Sequence, residues 1–156
     1  MSDLLTIPRL REMLEGNRRL TVRTLQAYPE QALFVHAAPN MRTAAALFQE
    51  ILGMDRAFVR GTATGQWEYV HVAKDASTKE ELLQAFATLQ KETQDWWDSI
   101  TEERLFAVED DRFGWGPPQP NLERILYSLE NEIHHRGQIY VYLRELGVEP
   151  PAFYER

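Results

Sequence analysis

Asn131, Glu132, His134, His135, Arg136 and Gln138 form the densest cluster of chemically competent side chains in the sequence. Such groups ligate divalent metals, exchange protons and hold anions. On a helix, successive side chains turn by about 100°, so the adjacent His134 and His135 cannot point the same way. His135 shares a face with Asn131 one turn earlier and with Gln138 and Tyr142 later, while His134 projects elsewhere. The simpler alternative is a water-facing side of an amphipathic helix, because Leu122, Ile125, Leu126, Leu129, Ile133, Tyr140 and Leu143 make an apolar stripe roughly opposite.

Glu50 is a possible partner. It lies about 60° off the centre of a Leu47, Ile51, Met54, Phe58 stripe and so borders the core. Ala46, Gly53 and Ala57 around it are small enough to let another helix come close. Its carboxylate either faces a cavity or is a solvated boundary glutamate.

The elements that must position these residues are helical. Thr6 and Pro8 predict a helix entry, with the first helix running to about Tyr28 and burying Leu10, Met13, Leu14, Asn17, Leu20 or Thr21, and Leu25. Residues 29 to 40 read as a connection, followed by a second helix from Met41 to Arg60 stopped by Gly61 and Gly65. The stretch Trp67 to Val72 has strand character but stands alone. Ser77 with Glu80 predicts a capping box opening a third helix that buries Leu82, Phe86, Leu89, Thr93, Trp96, Trp97 and Ile100. From Thr101 to Pro120, including Asp110, Asp111, Gly114 and Gly116, the pattern predicts a long loop with room for a small hairpin. Asn121 is the expected cap of a last helix ending at Gly147. The expected fold is therefore all-α, a four-helix bundle in one domain over residues 1 to 156, with a long crossover loop before the last helix.

Bulk properties narrow the function. There is no cysteine, which excludes disulfides, thiolate metal sites and a cysteine nucleophile. A net charge of −7 argues against nucleic acid as a partner. No long apolar run or leader-like segment is visible, so no membrane association is expected and the location expected is cytoplasmic.

The run Asn131-Glu132-Ile133-His134-His135-Arg136-Gly137-Gln138, with Tyr142-Leu143-Arg144-Glu145-Leu146-Gly147 and Pro150-Pro151 after it, resembles the C-terminal signature of the DinB/YfiT-like family. Asn17-Arg18-Arg19 and Asp55-Arg56 fall in the matching order, so the resemblance spans nearly the whole chain. It implies an up-down-down-up bundle, a homodimer, and a divalent metal (Zn, Ni, Mn or Fe) held by one histidine of the second helix and two of the last, four residues apart. Carried over by position, that ligand set falls on Glu50, Asn131 and His135, two of which are not histidine. One imidazole with hard oxygen favours manganese, iron or magnesium over zinc or nickel. His134 and Glu132 are alternative ligands that helix geometry disfavours.

The resemblance implies a metal-dependent enzyme acting on a small molecule, with a thiol-dependent transfer as the first expectation. In it the metal activates a small thiol such as mycothiol, bacillithiol or glutathione. Asn17, Gln138 and Tyr142 are then candidates for orienting substrate, and Arg136 or Arg18 for an anionic group. Each has a plainer alternative: Arg136 pairing with buried Glu132 or Asp55, Asn17 satisfying backbone, Gln138 and Tyr142 covering the bundle. No catalytic residue is assigned. Two other functions remain open: a non-catalytic, stress-related interaction protein with a degenerate metal site, and a metal-dependent hydrolase with Glu132 as base. Trp67, Trp96, Trp97, Trp115, Phe106 and Phe113 would help a dimer interface, or fill the bundle's own loops.

Overall fold

The structure, a computed structural model, describes residues 5–110 and 113–156; Asp111 of the expected loop lies outside them. Its long helices are α1 (Ile7–Ala27), α3 (Ala44–Thr64), α4 (Lys79–Ser99) and α6 (Asn121–Glu145), with one-turn helices α2 (Glu30–Leu33) and α5 (Glu102–Phe106) in the connections. Two-residue strands β1 (Val108–Glu109) and β2 (Gln119–Pro120) pair antiparallel, with Val108 opposite Pro120.

Local chemistry explains the ends. Thr6 accepts from the Arg9 amide with Pro at the first turn, as expected. The capping box at α4 is formed one residue later than expected, by Thr78 and Glu81 instead of Ser77 and Glu80, and Ser77 adds its own amide to the Glu81 carboxylate. Gly61 does not stop α3: the helix runs through it to Gly65, whose φ of 71° only glycine adopts readily. Gly61 instead removes a side chain where the Trp67 ring lies, since a Cβ there would fall 2.1 Å from that ring. Asn121 is not the cap of α6: Pro120 holds that position, while Asn121 donates to the Arg104 carbonyl at 2.8 Å and so fastens α5 to α6. At the other end, Gly147 and Val148 donate back to the Arg144 and Leu143 carbonyls in a Schellman closure, with Gly147 at φ 74°.

Two apolar clusters fix the helix directions. One gathers Leu25, Leu47, Leu52, Leu82, Phe86, Ile139 and Leu143; the other gathers Leu10, Leu14, Phe58, Val59, Trp97, Ile125 and Leu129. Reading each helix from one cluster to the other gives α1 up, α3 and α4 down, α6 up. Both α1 and α3 pack on α4 and α6, which leaves α4 and α6 diagonal. The connection carrying α5 and the hairpin therefore crosses one end of the bundle. The segment from 65 to 78 joins two parallel helices and so runs the length of the molecule, without a strand.

Between the clusters lies a polar layer. Arg18 of α1 grips Glu132 of α6 through Nε (3.1 Å) and Nη2 (3.0 Å), and Asp55 of α3 through Nη1 (3.2 Å). Burial opposes the Arg18 charge, but the two carboxylates outweigh it and raise its pKa. Asp55 is raised as well, because burial outweighs Arg18. Arg136 does not pair directly with either carboxylate: it donates to the Asn17 carbonyl, Asn17 Oδ1 and Thr21 Oγ1, at 2.8 to 3.1 Å. Of the expected buried face of α1, Met13 instead lies 41% exposed.

Candidate functional site

Helix α6 buries part of its polar side together with Ile125, Leu129, Ile139 and Leu143. Asn131, Glu132, His135 and Arg136 are all buried, whereas Ile133 of the apolar stripe is 42% exposed. The water-facing alternative is thereby excluded for these four residues. His134 points outward, as its position 100° from His135 requires.

Glu50 of α3 meets Asn131 and His135 across the α3–α6 seam. His135 Nε2 is 2.9 Å from Glu50 Oε1, and Asn131 Nδ2 donates to the same oxygen at 3.1 Å. Arg42, in the connection before α3, pairs with the other carboxylate oxygen. Burial pushes the Glu50 carboxyl up, but the hydrogen bonds from Arg42, His135 and Asn131 outweigh it and bring the pKa from 4.5 down to about 2.

Two of the residues expected to orient substrate instead support this centre. Gln138 Oε1 lies 2.8 Å from His135 Nδ1. The Tyr142 hydroxyl, on a buried side chain, donates to the Arg42 carbonyl at 2.9 Å and so holds the backbone that carries Arg42. Asn17 is elsewhere, bonded to Arg136 and the Met13 carbonyl between α1 and α6. Glu132, the base that hydrolysis would need, is committed to Arg18 and Thr21. The hydrolytic alternative thus loses its one candidate base.

With the Gln138 oxygen accepting from Nδ1–H, His135 Nε2 lies 2.9 Å from a carboxylate oxygen, where it either carries a second N–H that donates to Glu50 or presents a lone pair. Two acceptors so close repel unless a proton or a metal ion stands between them. Ligands about 2.1 Å from one ion and at right angles are roughly 3.0 Å apart, which matches both contacts of Glu50 Oε1. Asn131 Oδ1 is buried with no hydrogen-bond partner among the described residues, and turning the amide over would bring that oxygen to Glu50. Among the described residues no three His, Cys, Asp or Glu side chains gather as a metal site, so an ion here must use the Asn131 amide. One carboxylate, one amide and one imidazole are donors of the kind a hard divalent ion takes.

Glu50 also lines two adjoining clefts. One, of about 530 Å³, has aromatic walls: Phe58, Tyr69, Trp115 and Tyr127. The other, of about 220 Å³, is lined by Arg42, Gln49, His71 and Lys74, and shares Glu50 and Tyr69 with the first. Gly53 is the small residue that matters, and it admits a loop side chain and not a helix: a Cβ there would sit 2.8 Å from the Tyr69 hydroxyl. Gln49 holds the Ala73 carbonyl at 2.7 Å, securing an alanine in the left-handed region at φ 55°.

Sequence patterning did not reveal Arg42, Tyr69 or Tyr127 as site residues. Trp115 stood out only as a large ring, although Gly114 and Gly116 beside it are the signal of a presented loop tip.

The profile of the DinB family matches residues 1–156. The chain belongs to the DinB family. A second DinB-like protein, from Bacillus cereus ATCC 10987, has a crystal structure that superposes with a TM-score of 0.79 at 21% identity, covering 96% of this chain and 98% of that one. The DinB-like protein YjoA of Bacillus subtilis gives 0.74 at 21% identity, covering 95% and 99%. In sequence, the uncharacterized protein YjoA of Bacillus subtilis (strain 168) is 29% identical over 83 residues, 53% of this chain and 54% of its own length, so that alignment spans about half of the curated relative. No helix among the described residues of this DinB chain is long and apolar enough to cross a membrane.

Proposed function

We propose that this DinB-family chain is a small-molecule enzyme in which Glu50, Asn131 and His135 hold one divalent ion and the reaction is a thiol-dependent transfer. The observation that carries the proposal is the convergence of His135 Nε2 and the Asn131 amide on one oxygen of Glu50, with the other His135 nitrogen fixed by Gln138. One carboxylate, one amide and one imidazole suit manganese, iron or magnesium better than zinc or nickel. When bound, such an ion supplies Lewis acidity that favours the deprotonated form of a small thiol, so no protein cysteine is needed.

The chain's own residues supply the rest. Arg42 keeps Glu50 ionised, Tyr142 fixes Arg42, and Gln138 orients the imidazole. Consumption of a chloronitrobenzene electrophile that needs added thiol and vanishes in His135→Ala supports the transfer reading; consumption indifferent to thiol counts against it.

A second reading, a DinB bundle that binds partners or ligands without metal, is favoured by one observation. Arg42, Asn131 and His135 all bond to the Glu50 carboxylate, a protein-only set of partners for both of its oxygens. Metal content separates the two. A homodimer is proposed too, supported by the outward-facing Ile133 and Val141 on α6, 42% and 54% exposed. Sedimentation showing only monomer counts against it.

A further inference from the structure

The aromatic cleft and its basic neighbour adjoin each other, because Glu50 and Tyr69 line both. At about 530 Å³ the first falls in the usual range for small-molecule sites, roughly 300–1,000 Å³. Phe58, only 2% exposed, is its floor. Trp115 and Tyr127 each meet Phe58 edge-to-face, with centroids at 6.2 and 5.9 Å, and no such pairing joins Trp115 to Tyr127 among the described residues. The two rings are 51% and 47% exposed. Trp115 also lies against Tyr69 and Phe113, with centroids at 5.5 and 4.6 Å, so the cleft's walls offer π faces and edges, which favours a flat aromatic guest over a saturated one.

The neighbouring cleft carries the opposite character. Arg42, His71 and Lys74 line it, and Glu50 is the one acidic side chain among its described lining residues. Arg42 commits Nη1 to Glu50 and makes no other guanidinium hydrogen bond among the described residues, so its remaining donors are open to an anion. Lys74 forms no ion pair among the described residues.

We infer that the site takes an aromatic acid, with its flat ring between Trp115 and Tyr127 over Phe58 and its carboxylate toward Arg42 and Lys74. The inference deepens the proposed function and rests on it for the claim that this ligand is a substrate; the binding itself needs only the two clefts.

The test is calorimetric titration of the full chain with three probes: 2-naphthoate, its neutral counterpart 2-naphthalenemethanol, and the saturated decalin-2-carboxylate. 2-Naphthoate should bind one to one and at least tenfold more tightly than either other probe. Arg42→Gln should abolish its advantage over the alcohol, and Trp115→Leu its advantage over the saturated acid. Three affinities within twofold, no binding of 2-naphthoate, or preferences untouched by either variant would overturn the inference. Repeating the titration in EDTA, beside metal analysis, separates the two proposals. Naphthoate binding to a chain that never holds metal leaves this inference standing and removes the metal reading. A metal-loaded chain that ignores naphthoate does the reverse.

Discussion

Glu50 and His135, 85 residues apart in sequence, hold each other at 2.9 Å across the α3–α6 seam through Oε1 and Nε2. A carboxylate oxygen and an imidazole nitrogen at that distance would repel if both turned lone pairs to each other, so a proton or a metal ion must lie between them.

Glu50 links this contact to the stability of the fold. Its folded pKa of about 2 lies below the ordinary 4.5, so its ionised form is the one the fold favours. The stabilisation is present above pH 4.5 and is lost as the pH falls toward 2. Glu50→Gln should therefore be less stable than wild type at pH 7, with the gap shrinking as the pH falls through that window. Urea unfolding at several pH values measures it; a gap independent of pH contradicts it.

Arg18 is the keystone of the polar layer, bridging α1, α3 and α6. Arg18→Ala leaves two buried carboxylates without their cation and should cost about 3–5 kcal/mol, because breaking a buried pair from one side exposes an uncompensated charge. Replacing Arg18, Asp55 and Glu132 together by apolar residues should cost far less. Urea unfolding of both variants gives the comparison.

The four long helices, their boundaries to within a few residues and the Gly147 stop were legible in the sequence, because caps and periodicity are local, while the one-turn helices α2 and α5 were not. The facing of α6 was not. Hydrophobic patterning turns Ile133 inward, yet Asn131, Glu132, His135 and Arg136 are buried, since their partners Glu50, Arg18, Thr21 and Asn17 come from other helices. Sequence spacing cannot anticipate compensation supplied from 81 or 114 residues away. Arg42 was missed for the same reason: its place beside Glu50 depends on a turn held by Tyr142, 100 residues later.

Tyr142→Phe removes the hydrogen bond that fixes the Arg42 backbone and should cost about 0.5–1.5 kcal/mol of stability. It should also weaken 2-naphthoate binding, because Arg42 loses its anchor. A variant with unchanged thermal midpoint and unchanged titration contradicts that role for Tyr142.

Gly61→Ala places a methyl 2.1 Å from the Trp67 ring. The gain in helix propensity of about 1 kcal/mol is outweighed by displacement of an indole packed on α3, with overpacking costing roughly 1–3 kcal/mol. A lower thermal midpoint with red-shifted tryptophan emission is expected, and an unchanged spectrum would show that the ring has room to move.

Metal analysis of protein purified without an affinity tag and incubated separately with manganese, zinc and nickel tests the Glu50–Asn131–His135 centre most directly, with Glu50→Ala and His135→Ala in parallel. The expected result is about one equivalent of bound divalent ion in the wild type, highest for manganese and lost in both variants. Protein that stays metal-free after every incubation, or variants that retain the ion, would contradict a metal site at these three residues.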